Sequence, residues 1–130
     1  MRILILDDEQ VRHDNFAKRY AGNSVVHVTS YKQFVKQLKI GSPWDLIHLD
    51  HDLGAGDSYV DGWGDMQFFT GHHAAIAVCL LEDASLPTEI IVHSVNPAGA
   101  QNIMSDLAQN IMSDLKSRNV NVTWQPYKKM

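Results

Sequence analysis

Short apolar runs alternate along this chain with segments in which apolar residues recur at helical spacing. Each run spans four to six residues and is rich in Ile, Leu and Val. Runs of this length and composition are typical of strands buried on both faces of a parallel sheet. The pattern predicts five strands, at Ile3–Leu6, Val25–Thr29, Asp45–Asp50, Glu89–His93 and Val120–Trp124.

Four helices are predicted between these strands. Ser30 precedes one of them and suits the N-cap position, where its hydroxyl can accept a backbone N–H bond. Strands that alternate with helices favour an α/β fold, a parallel sheet with helices on both faces joined by right-handed crossovers. The length of 130 residues fits a single domain, 1–130. The predicted helices are Val11–Tyr20, Tyr31–Leu38, Met66–Glu82 and Gly99–Arg118.

Two segments stand out from this alternation. The stretch His51–Gly64 holds four glycines and three aspartates and is too long for a simple connector, so we predict a functional loop. Trp63 in this loop either stacks on a base over the site or packs into the core. Separately, Gln101–Leu107 recurs as Gln109–Leu115, and because eight residues make about two helical turns, the repeat extends one apolar helix face.

Charge and composition exclude several classes of function. Eleven basic and fifteen acidic residues give a net charge of −4, which argues against a general affinity for DNA or other nucleic-acid backbones. No apolar run approaches the roughly 18 residues that span a bilayer, so no membrane association is expected. The N-terminal apolar run is too short for a secretory signal, and the single Cys79 fits a reduced thiol; both features predict a cytoplasmic protein.

Acidic residues follow two of the predicted strands directly. Asp7 and Asp8 follow the first strand, and Asp50 ends the third. The carboxyl ends of parallel strands meet at one edge of the sheet, where ligands bind in such folds. Carboxylates crowded there would repel one another unless a divalent cation held them. We therefore predict a Mg²⁺ or Mn²⁺ site with Asp8 and Asp50 as the best ligands and Asp7 next. The alternative is a solvated turn or a helix cap.

Histidines near the same edge are candidates for acid–base work. His51 and His93 would flank the metal, since imidazole titrates near neutral pH; the alternatives are an exposed loop histidine and a hydrogen-bonded strand-end histidine. His48 lies between apolar neighbours in a strand and is expected to be a buried, satisfied histidine. Arg12 either binds phosphate or is solvated. The remaining candidates for phosphate or substrate binding are His13, Asp52, Ser94 and Asn96. The alternative for His13 is a surface histidine, and the alternative for Asn96 is an N-cap before the last helix.

The motifs resemble those of response-regulator receiver domains. Leu4-Ile5-Leu6-Asp7-Asp8-Glu9 is similar to their first strand and acidic pair, and Asp45–Asp50 to their third strand, with Asp50 at the phosphoacceptor place. Ser94 falls where that family has Ser or Thr. The resemblance implies a flavodoxin-like, three-layer α/β/α fold with a five-stranded parallel sheet of order 2-1-3-4-5. One departure is Gln125 before Pro126, where receivers have a Lys that pairs with the phosphoryl group.

A narrower resemblance includes the histidines. Three stretches resemble the cyclic-phosphate-processing receiver-like family: Asp7-Asp8-Glu9 with Arg12-His13 and Phe16, then Leu49–Gly54, then His93–Ala100. This resemblance implies a metal-dependent phosphoesterase acting on a cyclic nucleotide or on a cyclic-phosphate RNA end. The alternative is a noncatalytic receiver-like module that is phosphorylated on Asp50 or binds a nucleotide or protein partner. The oligomeric state stays open.

Overall fold

A computed structural model describes residues 1–50, 58–68, 71–94 and 106–126. The strands are β1 (Arg2–Leu6), β2 (Ser24–Val28), β3 (Leu46–Asp50), β4 (Ser58–Val60), β5 (Met66–Phe68), β6 (Glu89–Ser94) and β7 (Asn121–Pro126). The helices are α1 (Gln10–Arg19), α2 (Tyr31–Gly41), α3 (Gly71–Cys79) and α4 (Asp106–Ser117), with a short 3₁₀ turn at Asp83–Ser85. All five predicted strands are present, with ends shifted by one or two residues.

The main sheet has the order β2-β1-β3-β6-β7, and every neighbouring pair in it is parallel. Counted without the β4–β5 hairpin, this is the order 2-1-3-4-5 of the flavodoxin-like fold, as predicted. The register places Leu6 beside Leu49 and Asp50 beside His93. The carboxyl ends of the three central strands therefore meet at one edge of the sheet.

Alternation along each strand divides the apolar residues between the two faces of the sheet. Leu4 and Leu6 belong to a large buried cluster that includes residues of α2, α3 and α4. Ile3 and Ile5 belong to a second cluster with Phe16 of α1. Helices thus cover both faces, as the α/β/α architecture requires. The face under α1 also carries polar residues of the neighbouring strands β3 and β6. Among them are His48 and His93, which are both buried.

The region around the predicted third helix differs from the expectation. A helix over Met66–Glu82 is wrong in its first turns, because Met66–Phe68 forms β5 and pairs antiparallel with β4. The turn between them is built by Asp61, whose Oδ1 accepts the backbone N–H of Trp63 at 2.8 Å and of Asp65 at 3.0 Å. These local bonds favour a hairpin over a helix. The helix begins at Gly71 and ends at Cys79.

The structure confirms the predicted N-cap of α2. Ser30 caps α2, with its hydroxyl accepting the Gln33 backbone N–H at 3.3 Å. In α4 the second copy of the repeat packs against the core through Ile111 and Leu115. Within the four described stretches, no helix has both the length and the apolar character needed to cross a membrane.

Candidate metal and phosphate site

Three polar side chains meet under α1 at the carboxyl edge of the sheet. Asp50 ends β3, His93 lies beside it in β6, and Asp7 follows β1. All three are buried, with at most 2% of their surface exposed. One potential ligand atom from each lies within 4.8 Å of those of the other two. Residues far apart in the chain are thus brought to one point by the strand order alone.

Asp7 accepts hydrogen bonds through both of its carboxylate oxygens. Its Oδ1 accepts the Glu9 backbone N–H at 2.8 Å, and its Oδ2 accepts bonds from Arg12 Nε and His93 Nε2, both at 2.7 Å. Burial alone would raise the pKa of Asp7, but the bonds from His93 and Arg12 outweigh it and hold the pKa below its ordinary value. Asp7 is therefore a stable buried carboxylate.

Asp50 has the opposite character. Burial and the negative charge of Asp7 raise the pKa of Asp50 to about 9, although Arg12 offsets part of this effect. At neutral pH the carboxyl of Asp50 is accordingly protonated unless a further cation joins the site. Two buried carboxyls held this close, one ionised and one pushed toward neutrality, are the arrangement that a divalent cation relieves.

His93 is neutral in this setting. Burial lowers the pKa of His93, even though the hydrogen bond to Asp7 acts in the other direction. Because the carboxylate of Asp7 can only accept, Nε2 of His93 carries the proton between them. The ring of His48 lies 5.6 Å from that of His93. His48 is buried as predicted, and the Tyr20 hydroxyl lies 2.5 Å from its Nε2. The prediction that it is fully satisfied is wrong, because Nδ1 of His48 is buried without a hydrogen-bond partner among the described residues. Burial, followed by the neighbouring His93, lowers the pKa of His48 to about 3.

Arg12 links the acidic residues. Its Nε donates to Asp7 Oδ2, and its Nη2 lies 3.3 Å from Asp8 Oδ1 and 3.2 Å from Asp50 Oδ2. Sequence reasoning left Arg12 as a phosphate ligand or a solvated residue and missed this role. The available signal was the i, i+4 spacing between Asp8 and Arg12 at the start of α1.

His13 contacts the backbone of Asp7 rather than its carboxyl group. Its Nε2 is 2.7 Å from the backbone oxygen of Asp7, and its Nδ1 is 2.6 Å from Nδ1 of His27. Since a carbonyl oxygen only accepts, His13 donates from Nε2 and receives at Nδ1 when both rings are neutral. His13 is 3% exposed, so it is not a surface histidine. Its role in binding phosphate stays a prediction.

The other candidates divide into two groups. Asp8 lies at the rim of the cluster, with 27% of its side chain exposed, so Asp7 rather than Asp8 is the central carboxylate. His51, Asp52 and Asn96 lie outside the described residues, and Ser94 is described only through its backbone, as the last residue of β6. Their predicted roles are therefore neither confirmed nor contradicted.

The residues of the cluster suit a divalent cation. They offer two carboxylates and an imidazole, a donor set compatible with Mg²⁺ or Mn²⁺, with imidazole moving the preference toward Mn²⁺. Burial, followed by the charge of Asp7, raises the pKa of Asp50 even with Arg12 in place, so an added cation would favour its ionised form. Both observations make Asp7, Asp50 and His93 reasonable metal ligands.

Comparison with known families identifies the chain. A family model described as "Cyclic-phosphate processing Receiver domain" matches residues 2–109. The chain belongs to this family. The match covers β1 through the first part of α4 and includes every member of the cluster. No curated protein matches the sequence significantly.

Solved structures with the same fold are receiver domains. A Thermotoga maritima response regulator, TrrA, solved in complex with Mg²⁺-BeF, has a TM-score of 0.64 at 16% identity, over 98% of this chain and 86% of that one. The signal receiver domain of a Luxo repressor protein from Vibrio parahaemolyticus has a TM-score of 0.63 at 14% identity, over 99% and 79%. The Vibrio cholerae chemotaxis protein CheY4 has a TM-score of 0.57 at 14% identity, over 99% and 88%. At these identities the likeness establishes the fold alone.

Proposed function

We propose that this member of the cyclic-phosphate processing receiver family is a metal-dependent phosphoesterase that opens a cyclic phosphate on a nucleotide or an RNA end. The observation that carries the proposal is the buried cluster of Asp7, Asp50 and His93 at the carboxyl edge of the sheet. A phosphorylation switch needs the acidic residues but has no use for a buried histidine bonded to one of them. A phosphoester hydrolase can use all three.

Asp7 and Asp50 would hold the cation, Mg²⁺ or Mn²⁺, with Asp8 at the rim and His93 as a further ligand. Such an ion lowers the pKa of a bound water and offsets charge on the nonbridging phosphate oxygens. Asp7 suits this role because it stays ionised while buried. Asp50 becomes an ionised ligand when its proton is lost to solvent, so metal binding should be tighter at higher pH.

The reaction also needs proton transfers that side chains can provide. The oxygen of a water molecule bonds to phosphorus and the water loses a proton. The bond between phosphorus and one ribose oxygen breaks, and that oxygen takes a proton, which leaves a phosphomonoester. His93 and His51 are the proposed acid–base pair. His93 holds its Nε2 proton toward Asp7, and this bond orients the ring. Burial lowers the pKa of His93 and keeps the ring neutral, so its Nδ1 can accept a proton. If His93 binds the metal through Nε2 instead, the acid–base work falls to His51.

The experiment is a hydrolysis assay on three substrate classes: 2′,3′-cyclic mononucleotides, RNA with a cyclic-phosphate end and cyclic dinucleotides, each with Mn²⁺ and with chelator. We expect Mn²⁺-dependent turnover of at least one class. His93→Ala should lower kcat by roughly 10²–10⁴-fold if it moves a proton. Calorimetry with Mn²⁺ separates the acid–base role of His93 from its role as a metal ligand, because His93→Ala weakens Mn²⁺ binding only if His93 is a ligand. Asp14→Asn, at an exposed position of α1, is the matched control for Asp50→Asn. No turnover of any class with Mn²⁺ would refute the proposal.

A second candidate is a noncatalytic receiver-like module, and the position of Asp50 at the end of β3 in a receiver fold favours it. In that case Asp50 would accept a phosphoryl group, or the edge would bind a nucleotide or a protein. One feature weighs against phosphorylation: Gln125 stands where receivers have the Lys that pairs with the phosphoryl group. Incubation with acetyl phosphate and intact-mass analysis should show little acyl phosphate. Stoichiometric labelling at Asp50 would favour the module.

A further inference from the structure

The guanidinium of Arg12 lies where a cation would neutralise the acidic cluster. It contacts Asp7 Oδ2 at 2.7 Å and Asp50 Oδ2 at 3.2 Å, the two carboxylates best placed to hold a metal. It also lies 3.3 Å from Asp8 Oδ1, on the rim. One side chain from the start of α1 thus acts as counterion to carboxylates that follow two different strands.

The contacts of Arg12 overlap with those that a metal would need. Asp7 Oδ2 already receives two hydrogen bonds, from Arg12 Nε and from His93 Nε2. A divalent ion bound to that oxygen and to Asp50 would place two positive charges beside the fixed charge of Arg12 in a buried setting, where charges are poorly screened. A carboxylate oxygen with two donors also has little capacity left for a third partner. The guanidinium and the metal therefore compete for the negative charge of the same two side chains, Asp7 and Asp50.

The Arg12 side chain reaches the surface, so its guanidinium can move away from the acids when a metal displaces it. Its side chain is 14% exposed, so the guanidinium lies at the mouth of the cluster while its carboxylate partners Asp7 and Asp50 are buried. Arginine has a long flexible stem, and its planar fork binds phosphate through two parallel N–H bonds. A guanidinium released at this mouth would meet the phosphate of a substrate that approaches the metal.

We propose that Arg12 is an exchangeable counter-cation: it holds the carboxyl groups of Asp7 and Asp50 together before metal binds, and a divalent cation displaces it so that its guanidinium binds the substrate phosphate. This inference rests on the proposed function, because it assumes metal at the cluster and a phosphate beside it. It assigns Arg12 two successive roles, first with Asp7 and Asp50 and then with the substrate.

The exchange predicts opposite effects of one substitution on two ligands. In Arg12→Gln a neutral amide replaces the guanidinium, so Asp7 and Asp50 keep a hydrogen-bonding neighbour that carries no charge. We expect Mn²⁺ to bind at least about tenfold more tightly by calorimetry, because no cation has to be displaced. We also expect inorganic phosphate to bind the Mg²⁺-loaded variant at least about tenfold more weakly than the Mg²⁺-loaded wild type. Without metal, the variant should melt at a lower temperature.

Two further variants make the measurement specific. Lys18→Gln removes one positive charge from an exposed position on the same helix and should change neither affinity. Arg12→Lys keeps the charge but lacks the fork, so Mn²⁺ affinity should stay near that of the wild type while phosphate affinity falls. Arg12→Lys also tests the proposal if Arg12→Gln does not fold.

The outcomes separate this inference from the proposed function. If the wild type binds Mn²⁺ and Arg12→Gln binds it equally or more weakly, Arg12 is a permanent partner of the acids and the exchange is refuted, while a metal-dependent enzyme still stands. If phosphate affinity does not change in Arg12→Gln, the second role is refuted. If the wild type itself binds neither Mn²⁺ nor Mg²⁺, both the exchange and the proposed function fail.

Discussion

Asp50 lies in an environment that disfavours an ionised carboxyl group. It is 2% exposed, next to the ionised Asp7, and its carboxyl has a pKa raised to about 9 by burial and by that neighbour. A hydrophobic or amide side chain would fit this position at lower cost. Strongly shifted pKa values at a cleft are typical of functional sites, because the same lack of neutralising charge that destabilises the empty site favours a bound cation.

Replacement of Asp50 by Asn should therefore separate stability from function. Because the folded-state pKa exceeds the ordinary value of 3.8, stability contributed by this group is complete below pH 4 and is lost as the pH rises toward 9. We expect metal-free Asp50→Asn to be more stable than the wild type at pH 7.5, by at least about 1 kcal/mol. Urea unfolding with chelator measures this, and calorimetry should show no Mn²⁺ binding. A less stable Asp50→Asn would mean that the carboxyl is not strained.

For His48 we predict the opposite dependence of stability on pH. Its pKa is lowered to about 3, from an ordinary 6.5, so the folded protein keeps the ring neutral while the unfolded chain protonates it. Stability from this group is present above pH 6.5 and is lost as the pH falls toward 3. Relative to His48→Gln, which cannot titrate, the wild type should lose roughly 1.4 kcal/mol per pH unit below 6.5. Urea unfolding at pH 7, 6 and 5 measures the difference, and parallel curves for the two proteins would contradict it.

At the scale of elements, α1 and the β4–β5 hairpin have different relations to the core. Phe16 of α1 packs against Ile3 and Ile5, while Arg12, one turn earlier, reaches the acids. The helix thus links the core directly to the site. The hairpin packs differently: its turn is set by Asp61, and Trp63 at the turn is 91% exposed. The core-packing alternative for Trp63 is therefore wrong, and covering a substrate stays a prediction.

Trp63 at the turn of the hairpin and Trp44, which precedes β3, should respond differently to truncation. Trp63→Ala should change the free energy of unfolding by less than about 0.5 kcal/mol, because the side chain buries almost nothing. Trp44 is 3% exposed and packs in the main core, so Trp44→Ala should cost about 3–5 kcal/mol. Thermal and urea unfolding of the pair measures both. Similar losses in the two variants would mean that Trp63 is packed in solution.

For the whole molecule, metal binding and folding should be linked. The ligand atoms come from β1, β3 and β6, so only the folded chain assembles them. An ion that binds only the folded form stabilises it by mass action, by about 2.7 kcal/mol at a hundredfold excess over its Kd. We expect Mn²⁺ to raise Tm by several degrees and chelator to reverse the shift. A Tm that does not respond to millimolar Mn²⁺ would exclude this site.

The sequence by itself determined the layers and strand positions of this protein. Runs such as Ile3–Leu6 are apolar at every position, and such a run is stable only where both faces are covered, which points to a parallel sheet between helices. Asp7 and Asp50 could be placed at the functional edge because each directly follows a strand. The family resemblance supplied the sheet order, and the structure confirms it.

The tertiary structure alone decided which of these polar residues meet. Whether Asp7 or Asp8 points into the cluster depends on how far the pleat of β1 continues, and sequence does not specify that at a strand end. Arg12 pairs with Asp50 across 38 positions and His93 with Asp7 across 86, so no local pattern could reveal either contact. The hairpin was missed because its turn depends on Asp61 bonding the backbone of Trp63 and Asp65. Apolar periodicity reports which face of an element is buried, whereas the direction of a charged side chain depends on the charges that other strands bring to it.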